Sequence, residues 1–224
     1  MLRDGICIPR WTPVNESVLH LQQQEALMRI YQGWDGPISA GLLGGWAMEP
    51  ISVAALLCII SQMKPMSIVE CGSGASSVWM ARALAKANGG VITSLEHDQE
   101  FCASLSAVLS DGKLEDRAKV LWAPLIEQEI DGQVYAWYDL SKFAVKEIDL
   151  LVVDGPPGKL GPTARFPALP ILIGALRQGA FIVVDDIDRK DERVMVRRWL
   201  HRHPSIEPVC PIGPRTRLLR VGSK

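Results

Sequence analysis

The sequence is short of the features that mark several large classes of protein. Its five cysteines, Cys7, Cys58, Cys71, Cys102 and Cys210, are odd in number and include no C-x-x-C pair, so neither a disulfide framework nor a zinc site is expected. They read as small apolar packing residues in a reducing compartment. The best apolar run, Ile51 to Ile60, is too short to cross a bilayer, and the opening "MLRDGICIPRW" lacks the apolar segment of a signal peptide. The expectation is a cytoplasmic protein with no membrane partner. Charge of one sign is also missing: 24 Lys plus Arg stand against 25 Asp plus Glu. That balance excludes the basic field behind non-specific nucleic-acid binding. The stretch from Arg189 to Arg220 is locally rich in arginine, but Asp188, Asp191 and Glu192 interleave with it, so it reads as a solvated face. Internal repeats and low-complexity tails are absent as well. At 224 residues the chain is one generous domain, or one domain with an added arm.

What the chain does have is alternation. "SIVE" (67–70), "VITSL" (91–95), "KVLWA" (119–123), "IDLLVV" (148–153) and "AFIVV" (180–184) read as buried strands bounded by Gly, Asp or Pro. Between them, residues 76–88, 98–110 and 166–178 carry the apolar spacing of helices packed on a sheet. A further helix over 191–203 leads to "SIEPVC" and "RLLRV", a terminal hairpin around the turn-rich "PIGPRT". The pattern predicts an α/β fold: a doubly wound, Rossmann-like sheet of about seven strands, mostly parallel, with an antiparallel last strand. Two helices, 16–32 and 49–63, precede it, the second with Pro50 just inside its start. The expected division is a helical arm or cap over 1–64 and a ligand-binding domain over 65–224.

"IVECGSGASSVWMA" puts Gly72 and Gly74 between the first strand and its helix, where the backbone can turn sharply and approach a ligand. A dinucleotide fingerprint would need a third glycine, and Ser77 stands in its place. Glu96, 22 residues beyond Gly74, ends the second strand, where a carboxylate can accept the hydroxyls of a ribose. Together these point to an adenosine-containing ligand. Glu70, two residues before Gly72, disfavours a pyrophosphate, because like charges repel, and suits a ligand that carries positive charge.

With Glu70, Gly72, Gly74 and Glu96 in these places, the sequence resembles the class I S-adenosylmethionine-dependent methyltransferases. Their first motif is acidic-x-Gly-x-Gly, and their last strand is reversed, a feature dehydrogenases lack. The resemblance runs from about Trp46 to the C-terminus. It implies that Gly72, Ser73 and Gly74 wrap the methionine part of the cofactor, with Glu70 fixing the loop or the cofactor's amino group. Glu96 would hold the ribose, His97, Trp122 and Ala123 would border the adenine, and Trp46 would run beside the cofactor. The domain over 65–224 would be the methyltransferase domain, transferring a methyl group to a small or medium-sized acceptor, oxygen preferred. Two alternatives stay open, a nicotinamide-dependent oxidoreductase and a non-catalytic relative that binds cofactor or a partner.

The run "IDLLVV" ends on Asp154, and "GAFIVVDDID" ends on Asp185 and Asp186. An aspartate that terminates so apolar a strand aims a charge into the cleft at the strand ends. The proline pair of "GPPGK" stiffens the loop after Asp154. Three such carboxylates suit Mg²⁺ or Ca²⁺ and would repel one another without a cation. Their placement resembles the metal-dependent catechol and caffeoyl-CoA O-methyltransferases, which imply a metal on Asp154, Asp185 and Asp186. Asp186 stands where that family has Asn, and the spacing of its following lysine is missing. Asp154 and Lys159 are the candidate groups to orient or deprotonate the acceptor, Lys159 on condition that it is buried. Amino-methyltransferases of nucleic acids place Pro-Pro and an aromatic directly after their acidic or Asn residue. Here Gly155 intervenes and Gly158 replaces the aromatic, so no nucleic-acid partner is expected. His201 and His203 do not share a helix face and read as a basic helix end rather than a metal pair. Trp11, Tyr31, Trp34 and Trp46 fit the core or the interface of a homodimer equally.

Overall fold

The computed structural model describes residues 6–32, 48–144 and 146–222. In chain order the elements are α1 (Glu16–Gln32), α2 (Pro50–Met63), β1 (Ser67–Cys71), α3 (Ala75–Lys86), β2 (Val91–Glu96), α4 (Gln99–Asp111), β3 (Ala118–Trp122), β4 (Leu125–Ile130), β5 (Gln133–Tyr138), β6 (Ile148–Val153), α5 (Ala168–Leu172), β7 (Leu176–Val184), α6 (Lys190–Arg202), β8 (Ile206–Pro211) and β9 (Arg217–Val221). Seven strands form one sheet in the order β3-β2-β1-β6-β7-β9-β8. The first five of these run parallel, and β9 alone is reversed, pairing antiparallel with both β7 and β8. The expected wound sheet with a reversed last strand is therefore present. Strand order turns back between β1 and β6, so the loops after these two strands diverge around a crevice, the usual ligand position of such sheets.

Alternate residues of the buried strands point to opposite faces, and each face has its own core. Ile68, Ile92, Leu150, Val152, Phe181 and Val183 face α2, α3 and α4. Val69, Leu151, Val153, Ile182 and Val184 face Phe166, Leu169, Met195 and Trp199 on the other side. Because both faces are covered, the strands read as continuous apolar runs rather than alternating ones. Leu56, Ile59 and Ile60 of α2 have no exposed surface, and Val53 has little, so this helix is built into the first core. Among the described residues no helix is long and apolar enough to cross a membrane.

Two elements differ from the sequence expectation. Residues 125–138 form a hairpin, β4 with β5, as a separate two-stranded sheet where no element was expected. Asp131 and Gly132 make its turn, both at positive φ (55° and 74°), the backbone that a two-residue hairpin loop requires. Tyr135, Trp137 and Tyr138 of β5 join the second core, doing the covering that a helix does elsewhere. The helix expected over 166–178 is only α5 and a 3₁₀ turn, and β7 already begins at Leu176. Pro167, Pro170 and Gly174 explain the shortness: the prolines lack the N–H a helix interior needs, and glycine is a poor helix former.

Candidate active site

The loop after β1 is held from below. Glu70 has no exposed surface, and its carboxylate accepts hydrogen bonds from the hydroxyls of Ser76 (2.5 Å), Ser77 (2.5 Å) and Ser94 (2.6 Å). These hydroxyls come from the start of α3 and from β2, so one acidic side chain ties strand, helix and neighbouring strand together. Burial pushes its carboxyl up to about 7, and the three hydroxyls oppose that rise. Of the two roles the resemblance implied for Glu70, the geometry matches the fixing of the loop, because both oxygens point into the protein. Above it the loop is open: a Cβ on Gly74 would meet nothing within 4 Å. Gly74 N–H donates to the Ser77 hydroxyl at 3.0 Å, which sets the start of α3.

Glu96 closes the same end of the sheet. Its carboxylate accepts from the Ser73 hydroxyl (2.7 Å) and from the backbone N–H groups of His97 (2.8 Å) and Asp98 (2.9 Å), while the His97 ring lies 2.9 Å away. Trp122 is 41% exposed at the end of the edge strand β3, and Ala123 is buried with its N–H donating to Glu96 O at 2.7 Å. Glu96, His97, Trp122 and Ala123 are thus brought together. Trp46, like Trp34, lies outside the described residues.

Gly72 joins this end to the next. It has φ +88°, and a Cβ there would stand 2.8 Å from Gly155 Cα. A Cβ on Gly155 would stand 2.6 Å from Gly72 Cα and 2.5 Å from the Tyr138 hydroxyl. The glycine between Asp154 and the prolines is therefore what lets the β6 loop lie directly against the β1 loop. Tyr138, at the end of β5, was not foreseen. It is 2% exposed, its ring meets His97 edge-on at 6.5 Å, and among the described residues its hydroxyl has no hydrogen-bond partner. Burial holds that phenol well above its ordinary range, so it remains a donor. The Asp131-Gly132 turn, flanked by apolar residues, was the signal that could have found this hairpin.

The carboxylates of Asp154, Asp185 and Asp186 do converge, with one oxygen from each lying within 4.8 Å of the others. They meet guanidinium groups. Arg165, only 4% exposed, lies 2.9 Å from Asp186 and 3.4 Å from Asp154. Arg189 lies 2.8 Å from Asp186, and Arg215 lies 3.4 Å from Asp185 and 3.6 Å from Asp186. The Thr216 hydroxyl is 2.6 Å from Asp185 and 2.7 Å from the Ser52 hydroxyl, which brings α2 to the site. Asp186 adopts φ 58°, the left-handed turn that aims its side chain back at the arginines. Burial first, and the charge of Asp185 next, raise Asp154 well above the carboxylate range, while Arg165 pulls it back. Asp185 is raised by burial and restrained by Thr216 and Arg215. As a donor set this does not fit a divalent cation: Mg²⁺ demands near-octahedral oxygen ligands, and a buried guanidinium lies among these oxygens. Lys159 sits exposed on a 3₁₀ turn, so the burial that its role as a base required is absent.

Residues 69–187 match the profile of the family described as "Methyltransferase domain", more than half of the chain. The chain belongs to this family. The class expected from its motifs, an S-adenosylmethionine-dependent methyltransferase of class I, is borne out. No curated protein matches the sequence. Solved structures share the fold: the O-methyltransferase of Bacillus cereus in complex with S-adenosylhomocysteine is 17% identical, with a TM-score of 0.60 over 94% of this chain and 92% of that one. The S-adenosylhomocysteine-bound methyltransferase PaMTH1 of Podospora anserina is 16% identical, with a TM-score of 0.61 over 95% and 99%. The O-methyltransferase TomG of Streptomyces achromogenes, in complex with S-adenosylmethionine, is 18% identical, with a TM-score of 0.55 over 94% and 92%.

Proposed function

We propose that this methyltransferase binds S-adenosylmethionine over the ends of β1 and β2 and methylates a small or medium-sized acceptor, oxygen preferred, over the end of β6. The observation that carries the reading is the contact of Gly72 with Gly155, which packs the cofactor loop directly against the Asp154 loop. Bound S-adenosylmethionine supplies an electrophilic methyl group on a sulfonium. The loop Gly72, Ser73, Gly74 gives the methionine part room, because a Cβ at Gly74 would still stand in open space. Glu96 accepts the ribose hydroxyls in the place the Ser73 hydroxyl now takes. His97, Trp122 and Ala123 border the base, and the buried, unpartnered Tyr138 hydroxyl lies against Gly155.

Asp154 is the group that faces the acceptor. Of the three aspartates it keeps the most side-chain exposure, 16%, and its raised pKa makes it a stronger base than an ordinary carboxylate. It orients the acceptor's O–H or N–H and takes the proton as the nucleophile attacks. Transfer of this kind needs alignment above all, and alignment is what the fixed loops provide. Activity falls as the pH drops through the raised pKa of Asp154.

Calorimetric titration of the chain with S-adenosylhomocysteine, and with NAD as the control, tests the reading. Binding of the first and none of the second is expected, and Glu96→Gln weakens it about tenfold or more, as loss of hydrogen bonds to a charged group does. Heat with NAD alone would overturn it.

A further inference from the structure

We infer that Arg165 stands where a divalent cation would, so that the aspartates at the ends of β6 and β7 are held by guanidinium charge and methyl transfer proceeds without Mg²⁺. The inference deepens the proposed function and takes its chemistry from it, but its geometry is independent of it. Three carboxylates gathered this closely repel one another, and besides a proton on one of them, a bound cation or basic side chains relieve that repulsion. Here basic side chains do so. Arg165, Arg189 and Arg215 all reach the cluster, Arg215 also lying 3.9 Å from Glu49.

Arg165 is the decisive one. Its Nη2 lies between Asp186 Oδ2 (2.9 Å) and Asp154 Oδ1 (3.4 Å), bridging the two strand ends as a shared cation would. Its Nε donates to Pro156 O at 3.2 Å, and its Nη1 donates to Asp185 O at 3.5 Å. One planar fork thus grips the loop after β6 through Pro156 and the loop after β7 through Asp185 and Asp186. The left-handed backbone of Asp186 turns its carboxylate into that fork. A guanidinium keeps its charge at any working pH and does not dissociate, so the geometry of Asp154 is permanent rather than dependent on ion concentration.

The substitution also bears on the acceptor. A metal ion can chelate two neighbouring oxygens, as in a catechol, and lower the pKa of the one it binds. A guanidinium already committed to two carboxylates and two carbonyls offers no such chelation. The acceptor class that fits is a molecule presenting a single hydroxyl or amine to Asp154, with no advantage for vicinal diols. Arg165 is a positioning residue in this scheme, acting through Asp154.

Manganese titration of the full chain, followed by electron paramagnetic resonance with and without S-adenosylhomocysteine, tests this without needing the acceptor. The expected result is no bound Mn²⁺ up to about 1 mM, the weak end of protein sites for divalent ions. Melting temperature is expected to be the same in Mg²⁺ and in EDTA. Arg165→Met removes the internal cation and is expected to gain Mn²⁺ uptake that Asp186→Asn, added to it, abolishes. One Mn²⁺ per wild-type chain, lost in Asp186→Asn, overturns the inference, as does an Arg165→Met chain that folds and still takes up none. Should Arg165→Met fail to fold, the wild-type titration decides alone. Failure to bind S-adenosylhomocysteine in the same preparation would count against the proposed function and leave the metal result standing.

Discussion

The two ends of the crevice keep their acids in opposite ways. At β1 and β2, Glu70 is satisfied by three serine hydroxyls, and Glu96 by a hydroxyl, backbone N–H groups and the His97 ring. At β6 and β7, Asp154, Asp185 and Asp186 are satisfied by arginines. Neutral donors hold these acids without bringing in a countercharge, and a cationic ligand is favoured there. Guanidinium groups counter the carboxylate charge and leave shape and one partly exposed carboxylate, Asp154. One side of the site is thus suited to bind charge and the other to position an acceptor.

Asp154→Asn strikes the second end alone and carries the largest effect. Methyl transfer falls by about 10²–10⁴, the range of a lost general base, while calorimetry shows unchanged affinity for S-adenosylhomocysteine. Gly155→Ala attacks the seam between the ends. The new methyl would meet Gly72 Cα and the Tyr138 hydroxyl, and urea unfolding is expected to show a loss of about 3 kcal/mol, the upper part of the overpacking range.

Glu70→Gln sharpens the contrast from the first end. A carboxyl raised from 4.5 to about 7 holds its proton more tightly in the folded chain, so its stabilisation is complete below about pH 4.5 and is lost as the pH rises toward 7. Removing that carboxyl flattens the fall in stability across the window by about 3 kcal/mol, read from unfolding curves at several pH values. Lys159→Ala has the smallest effect: the exposed side chain touches neither end, and turnover is expected to change less than about threefold.

Much of the fold was legible because the sheet is buried on both faces. "IDLLVV" and "AFIVV" are strands in any reading, and an aspartate after such a run has nowhere to go but the strand tip. Glu70 and Glu96 were legible for the same reason. The hairpin was missed because β4 is mostly polar and exposed, although the run "VYAWY" of β5 beside the Asp131-Gly132 turn was there to announce it. Tyr138 was hidden with it. Arg165 carries no motif, since its partners are 9 to 21 residues away along the chain. Its one signal was its setting, a lone charge in "PTARFPALP", where a basic residue is buried only if acids await it. That rule names the need for a partner but not which partner, and three aspartates read alone suggested a metal.

A crystal structure of the chain with S-adenosylhomocysteine tests the joined crevice most directly. The account predicts ribose hydroxyls within hydrogen-bond distance of Glu96, the sulfur over the Gly72–Gly155 seam and Asp154 facing it across the acceptor space. A nucleoside bound elsewhere, or a sulfur turned away from Asp154, would contradict it.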